Sequence, residues 1–141
     1  MTILDLGALK MAIDTYTRTC NAASNPQLTQ HLSNDLQDVI KAGVIQNFEF
    51  AYEMAWKFIK RWLEKNYGST YVDGVTRREL FRLAAESHLI HDVDEWMLYH
   101  RARNQTSHTY DKLIATEVYQ QALVFLNVVK ALYQQLQSKN D

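Results

Sequence analysis

Glycine and proline, the residues that most often interrupt regular structure, are scarce in this chain. Its 141 residues include four glycines and one proline. A β-sandwich of this length needs many tight turns, and such turns draw heavily on both residues. Helix interiors disfavour both, so their scarcity is what a chain of long helices requires. The sequence therefore predicts an all-α fold built from a few long helices.

Apolar residues recur every three or four positions along most of the chain, as they do on one face of a helix. This spacing predicts helices over about 2–23, 27–65, 76–89, 92–110 and 111–136. Whether the second helix bends, breaks or continues at Gly43 stays open, because one glycine costs a helix only ~1 kcal/mol. Short connections favour antiparallel neighbours, so we expect an up-and-down bundle of four to five helices, forming a single domain over residues 1–141.

Several helix ends carry recognisable signals. Pro26 can begin a helix, since its missing N–H is not needed in the first turn. Thr76 and Glu79 have the spacing of a capping box, in which each side chain bonds the other's backbone N–H. Asp92 and Asp111 stand where acidic caps would open the last two helices.

The charge balance limits what the chain can bind. It has 15 basic and 16 acidic residues, a net charge of −1, so there is no global attraction to nucleic acid or to an anionic membrane. Any phosphate site must therefore be local. The single cysteine, Cys20, excludes an intrachain disulfide and suits a reducing compartment. We see neither a secretion signal nor a run of the ~18 apolar residues that span a bilayer, and we expect a cytoplasmic protein.

The most polar stretch on an otherwise well-patterned helix is 101–111, which reads Arg-Ala-Arg-Asn-Gln-Thr-Ser-His-Thr-Tyr-Asp. On an ideal helix Asn104 and His108 share a face, as do Arg103 and Tyr110. Arg103 and His108 diverge, but the arginine is long enough to swing toward the imidazole. Serine, threonine and aspartate compete for backbone hydrogen bonds, so the helix should fray here. The cluster could converge on one small anion.

Phosphodiester cleavage fits these residue types. Arginine grips phosphate with paired hydrogen bonds, and histidine can take the proton from a ribose 2′-OH. Arg103 and His108 are therefore the catalytic candidates, and Asn104 could orient the ring. RNA brings its own nucleophile, so neither a metal nor a cofactor is needed, and DNA is not an expected substrate. The alternative is that the same residues form an ordinary solvated helix end.

Other clusters have simpler interpretations. His88, His91 and His100 could suggest a metal, but no cysteine cluster and no Glu-x-x-His pair accompanies them. Glu49 and Glu53 are one turn apart and could line a cleft or contact a partner. Glu53 could equally form a helix-surface pair with Lys57.

Aromatic and basic groups also leave alternatives open. Trp56, Trp62 and Trp96 fit a core or a dimer interface better than a base-stacking platform. A basic strip on the third helix fits a solvated face, although it could extend an RNA track; it comprises Arg77, Arg78 and Arg82. The sequence contains no Gly-rich phosphate loop and no nucleotidyltransferase signature, so we do not expect it to transfer nucleotides itself.

Two blocks of the sequence resemble a known family. Residues 103–110 match R-x4-H-x-Y, the signature of HepT-like proteins within the HEPN superfamily. Residues 44–57 match I-Q-x-F-E-x-x-Y/F-E-x-x-W-K, a pattern common in the nucleotidyltransferase substrate-binding protein family. The resemblance covers about residues 4–136. The two blocks occur in the family's order, each on a predicted helix.

The resemblance implies a helical homodimer in which two R-x4-H segments face each other across a shared cleft. It implies a partner, a minimal nucleotidyltransferase. In toxin–antitoxin members the helical protein is a metal-independent ribonuclease, and the partner can attach AMP to the motif tyrosine, here Tyr110. By the same carry-over Arg103 and His108 are catalytic and Asn104 supports them. The rival hypothesis is a non-catalytic subunit that presents a substrate or nucleotide to the partner.

Overall fold

The structure, a computed structural model, describes residues 3–141. The helices are α1 Gly7–Ala23, α2 Pro26–Thr29, α3 Asn34–Tyr67, α4 Arg77–Glu86, α5 Val93–Asn104 and α6 Lys112–Ser138, with 3₁₀ turns at Ser69–Tyr71 and Thr106–His108. No strand occurs in this range. The predicted all-α bundle is confirmed, with five helices of ten residues or more. Among the helices described, none combines the length and apolar character that crossing a bilayer requires.

Hydrogen bonds between helices show the direction of each one. The Asn140 side chain, beyond the end of α6, bonds both backbone groups of Leu4, ahead of α1, so α6 runs antiparallel to α1. Thr19, late in α1, accepts from Asn47, early in α3. Tyr52 of α3 bonds His100 within α5, whereas Glu49, earlier in α3, bonds Thr106, just beyond the end of α5, so α5 runs antiparallel to α3. The main helices therefore alternate up and down.

Phe125 of α6 lies at the centre of the core. Its ring centroid is 4.8 to 6.4 Å from those of five other aromatic residues on α1, α3 and α5. They are Tyr16, Phe48, Tyr52, Trp96 and Tyr99. Trp62 and Trp96 are also buried, as predicted, whereas Trp56 is half-buried. Because one aromatic cluster joins four helices, the relative positions of α3 and α5 are set by its packing.

The first helix begins at Gly7 and not near residue 2 as predicted; Thr2 lies outside the described residues. Leu4 is bonded to Asn140, and the Asp5 carboxylate accepts from the backbone N–H of Gly7 at 2.9 Å. These side-chain bonds give the preceding backbone an alternative to helix.

The predicted second helix is interrupted, but not at Gly43. The short α2 ends at Thr29, and α3 begins at Asn34 after Ser33, whose hydroxyl accepts from Leu36 N–H. Gln37 donates to the carbonyls of Thr29 and Leu32 and so satisfies the exposed end of α2. From Asn34 the helix continues through Gly43 to Tyr67, two residues beyond the predicted end.

Two further helix ends lie earlier than predicted. α4 ends at Glu86, because His88 adopts φ 62° and the N–H groups of His88 and Leu89 bond back to Ala85 and Ala84. This Schellman arrangement reverses the chain before buried Leu89. α5 ends at Asn104 and not near Tyr110, and a 3₁₀ turn follows.

The predicted caps are present with one difference. Asp92 accepts from Asp94 and Glu95 N–H groups, and Asp111 accepts from Leu113 and Ile114 N–H groups. Thr76 accepts from Glu79 N–H at 3.1 Å. The Glu79 carboxylate binds Arg82 instead of completing the capping box.

Replacing Gly43 with alanine should stabilise the protein. A Cβ added there would lie 3.7 Å from the nearest side-chain atom, Cγ2 of Thr19, an ordinary contact. Alanine is preferred to glycine inside a helix by ~0.8–1.0 kcal/mol. We therefore expect the free energy of unfolding, measured by urea denaturation, to rise by about that amount. As the matched control, Gly68→Ala should destabilise, since Gly68 has φ 92°. A loss of stability in Gly43→Ala would contradict a continuous, loosely packed α3 at this point.

Candidate functional site

The polar segment after α5 does not continue as a helix, so the faces predicted for it are wrong. Thr106 donates to the Arg103 carbonyl at 2.8 Å and also to the Glu49 carboxylate of α3. These bonds hold the chain in the Thr106–His108 turn, and Asp111 then caps α6. Asn104 and His108 therefore belong to different elements, as do Arg103 and Tyr110.

Arg103 lies in the last turn of α5 and faces α3. Its Nε is 3.0 Å from Glu53 Oε1, and its Nη1 is 3.9 Å from Glu49 Oε2. Its side chain is 32% exposed, so the guanidinium is only partly open to solvent. The sequence predicts that Arg103 can swing toward His108; the structure places it against these two carboxylates instead.

Glu49 and Glu53 therefore have a role at this site that the helix-surface interpretation missed. Both lie on the side of α3 that faces α5. The second Glu53 oxygen accepts from the Trp56 indole N–H at 3.0 Å, so both of its oxygens are used. Lys57, the partner considered from the sequence, lies instead over the Trp56 ring. Glu53 thus holds Arg103 in a defined place.

His108 is exposed and lines a groove of about 880 Å³ that runs along α5. Asn104, Arg101 and His100 line the same end of this groove. Its other end carries the acidic start of α5, where Asp94 pairs with Arg78 at 2.9 Å. The groove therefore offers nitrogen donors and bases at the His108 end and carboxylates at the other.

Tyr110 projects into solvent with 84% of its surface exposed. Its ring meets that of His108 edge-on, with the centroids 6.1 Å apart. It also borders a second groove, of about 710 Å³, together with Glu49, Thr106 and Lys112. The candidate residues are thus gathered around one short turn but are divided between two adjacent grooves.

A hydrogen-bonded group beside Arg103 was missed from the sequence. The hydroxyl of buried Tyr52 is 2.8 Å from His100 Nδ1 and 3.4 Å from Arg77 Nη1. The Arg77 guanidinium lies 3.6 Å from the centroid of the Trp56 ring, a cation–π contact. Tyr52 and Trp56 belong to the family-like block 44–57, and their place in that block is the sequence feature that could have identified them as site residues.

Burial changes the titration of this group. It raises the pKa of the Tyr52 hydroxyl to about 12, despite the opposing effect of Arg77. Burial also lowers the pKa of His100 below its ordinary value, and the Arg77 charge lowers it further. At neutral pH Tyr52 is therefore protonated and His100 is uncharged.

The remaining candidates have structural partners. Two arginines of the predicted basic strip pair with carboxylates, Arg78 with Asp94 and Arg82 with Glu79 and Glu86. The third, Arg77, turns inward over the Trp56 ring. Within residues 3–141, His, Cys, Asp and Glu side chains form no group of three or more that could hold a metal.

Comparison with known proteins shows the family of this chain. Residues 4–138 match the family model described as nucleotidyltransferase substrate binding protein like. A Haemophilus influenzae protein named probable ribonuclease HepT is 35% identical over 138 residues, 97% of this chain and 94% of that protein.

Solved structures agree with the sequence match. One from Haemophilus influenzae, described as the fold of a substrate binding domain of a nucleotidyltransferase, has a TM-score of 0.89 and 33% identity, covering 94% of this chain and 99% of that one. A Thermus thermophilus structure with 23% identity has a TM-score of 0.69, covers 92% and 98% of the two chains, and shares the fold. The chain belongs to the nucleotidyltransferase substrate-binding protein family.

Proposed function

We propose that the protein is a metal-independent endoribonuclease, the toxin of a toxin–antitoxin pair. The observation that carries the proposal is the exposed His108, set in a groove beside Asn104, in a chain 35% identical to a probable ribonuclease HepT. RNA inside a cell would be its substrate, which is consistent with a cytoplasmic site of action.

In this reaction His108 takes the proton from a ribose 2′-OH. The 2′ oxygen then attacks the adjacent phosphorus and the bond to the 5′ oxygen breaks. The 5′ oxygen leaves as a hydroxyl with the proton that the His108 imidazolium gives up, which restores His108. The product is a 2′,3′-cyclic phosphate. Among the described residues, Glu53 and Glu49 engage Nε and Nη1 of Arg103, so Nη2 is the nitrogen that they leave to a phosphate oxygen. The two carboxylates orient the guanidinium and limit its rotation.

The site would be completed by a second copy of the chain. One groove supplies two histidines, His100 and His108, and two arginines, and three carboxylates stand at its far end; these are Asp92, Asp94 and Glu95. Because the net charge is −1, RNA must be held by local contacts. A homodimer that brings two Arg103–His108 segments together would double those contacts.

A minimal nucleotidyltransferase is the proposed antitoxin. It would transfer AMP to the Tyr110 hydroxyl, which is accessible because the side chain is 84% exposed. The added phosphate would lie close to His108, whose ring is 6.1 Å from that of Tyr110. A bulky anion at this point would repel RNA phosphate and block the groove.

A second candidate function is a non-catalytic subunit that presents a substrate to a nucleotidyltransferase. The family description and the related Haemophilus influenzae structure support it, since both refer to substrate binding. This candidate predicts a stable complex with the partner, no RNA cleavage and no growth arrest on expression.

We expect purified protein to cut RNA in the presence of EDTA, and His108→Ala to lower the rate by ~10²–10⁴, the usual cost of removing a general base. Cyclic-phosphate ends should be detected on the fragments. His91→Ala, which changes an exposed histidine outside the groove, is the matched control and should cut normally. Equal inactivity of wild type and His108→Ala on several RNAs would favour the substrate-presenting subunit.

Co-expression with the nucleotidyltransferase should relieve growth arrest and add one AMP to Tyr110, detected by mass spectrometry. Tyr110→Phe should remain an active nuclease that the partner no longer silences by modification, because the ring is kept and the acceptor hydroxyl is lost. AMP found on Tyr67 or Tyr71, which are also exposed tyrosines, would contradict the assignment.

A further inference from the structure

A row of hydrogen bonds crosses the bundle from α4 through α3 to the groove. Arg77 Nη1 lies 3.4 Å from the Tyr52 hydroxyl, which lies 2.8 Å from His100 Nδ1. On the other side of the ring, His100 Nε2 is 3.4 Å from Nδ2 of the Asn104 side-chain amide. The row therefore begins at a half-buried cation and ends at a residue that lines the groove beside His108.

The direction of these bonds follows from the donors available. Arg77 has only N–H groups, so the Tyr52 oxygen must accept from it. Tyr52 is fully buried. Among the described residues, His100 Nδ1 is the acceptor that the Tyr52 hydroxyl proton can reach. Burial keeps that proton in place by raising the pKa of Tyr52 to about 12. His100 Nδ1 is therefore an acceptor.

A neutral imidazole that accepts at Nδ1 carries its proton on Nε2. His100 is neutral because burial and the Arg77 charge lower its pKa. Its Nε2–H then donates toward Asn104, which must accept through its carbonyl oxygen. The structure places Asn104 Nδ2 nearest to Nε2, and a protonated Nε2 requires the amide oxygen and nitrogen to be exchanged. The two atoms are distinguished by their partners, so the exchange puts Oδ1 toward His100.

The opposite tautomer leaves a group unpaired. With the proton on Nδ1, His100 would donate to Tyr52, whose oxygen would then accept from both His100 and Arg77. The Tyr52 hydroxyl proton would have no acceptor among its described neighbours at 0% exposure, and a buried unpaired donor is strongly disfavoured. Asn104 would also turn its oxygen to the groove and repel an anion.

We propose that Arg77, Tyr52 and His100 form a positioning chain that turns the Asn104 NH₂ group into the groove as a donor for a phosphate oxygen. The inference rests on the proposed function only for the ligand, the phosphate of an RNA strand. Its physical content is a defined tautomer: His100 is neutral and carries its proton on Nε2.

The charges around His100 come from both neighbouring helices and from its own. Glu53 acts on it from α3, Arg77 from α4, and Arg103 from α5. Glu53 is paired with Arg103, so Arg77 is the cation that acts on the ring without a carboxylate partner at this point. This arrangement opposes protonation of His100. The hydrogen bonds from Arg77 to Asn104 therefore keep a single donor-to-acceptor direction.

Nitrogen-15 NMR of the wild-type imidazoles tests the tautomer directly. The His100 signals are identified by their loss in His100→Gln. We expect Nδ1 to show the shift of an unprotonated nitrogen and Nε2 that of a protonated one at pH 7. A proton on Nδ1, or a cationic ring at pH 7, overturns the proposal, and this measurement needs no variant of Tyr52 and no enzymatic activity.

Tyr52→Phe tests the consequence, because it removes the hydroxyl that holds the tautomer. We expect a mixture of tautomers at His100 and about fivefold weaker binding of a 2′-O-methyl oligoribonucleotide, which cannot be cut, the factor that one hydrogen bond typically contributes. Tyr16→Phe is the matched control: Tyr16 is equally buried, but its hydroxyl bonds the Ala122 carbonyl, and binding should not change. Unchanged binding and an unchanged tautomer in Tyr52→Phe overturn the proposal.

The experiments distinguish a failure of the ribonuclease proposal from a failure of the positioning chain. If the wild type binds the oligonucleotide and shows the expected tautomer but cuts no RNA, the ribonuclease proposal fails and the positioning chain stands. If the wild type cuts RNA but carries the proton on Nδ1, the ribonuclease stands and the chain fails. Absence of any binding by the wild type overturns both.

Discussion

The packing of Phe125 against rings from three other helices is the constraint on which the site depends. Phe125 contacts Tyr52 of α3 and Tyr99 of α5, with ring centroids 6.1 and 4.8 Å away. Interiors are close-packed, so these contacts leave α3 and α5 little freedom to slide. The bonds between the two helices, from Tyr52 to His100 and from Arg103 to Glu53, can form only at this register. The polar site is thus an extension of the aromatic core.

Much of the fold follows from local rules that act within a few residues. Few glycines and prolines, a helical apolar period and the acidic caps Asp92 and Asp111 are enough to predict the bundle and most of its elements. The errors occur where a distant or special contact decides. Asn140 bonds the backbone of Leu4 and keeps it outside α1. His88 adopts a left-handed conformation that the sequence pattern does not predict.

The sequence identifies a set of candidate site residues but not their arrangement. Treating 101–110 as one helix placed Arg103 where it could reach toward His108, whereas in the structure two carboxylates 50 or more positions earlier hold it. An ion pair of that sequence separation leaves no periodic signal. His100 and Tyr52 were missed for the same reason, since a buried tyrosine in an apolar pattern resembles any other core residue.

The turn Thr106–His108 and the residues up to Asp111 contain no fully buried side chain, although they connect two helices that pack in the core. Substitutions of its exposed residues Ser107, His108 and Tyr110 should therefore change surface chemistry at little cost in folding free energy, unlike those of Thr106, which holds the turn, and Asp111, which caps α6. Arg103, in contrast, is anchored to α3 and cannot be exchanged so freely. Relatives of this fold could consequently diversify the composition of the linker, and with it the molecules they recognise, while retaining an unaltered scaffold beneath it.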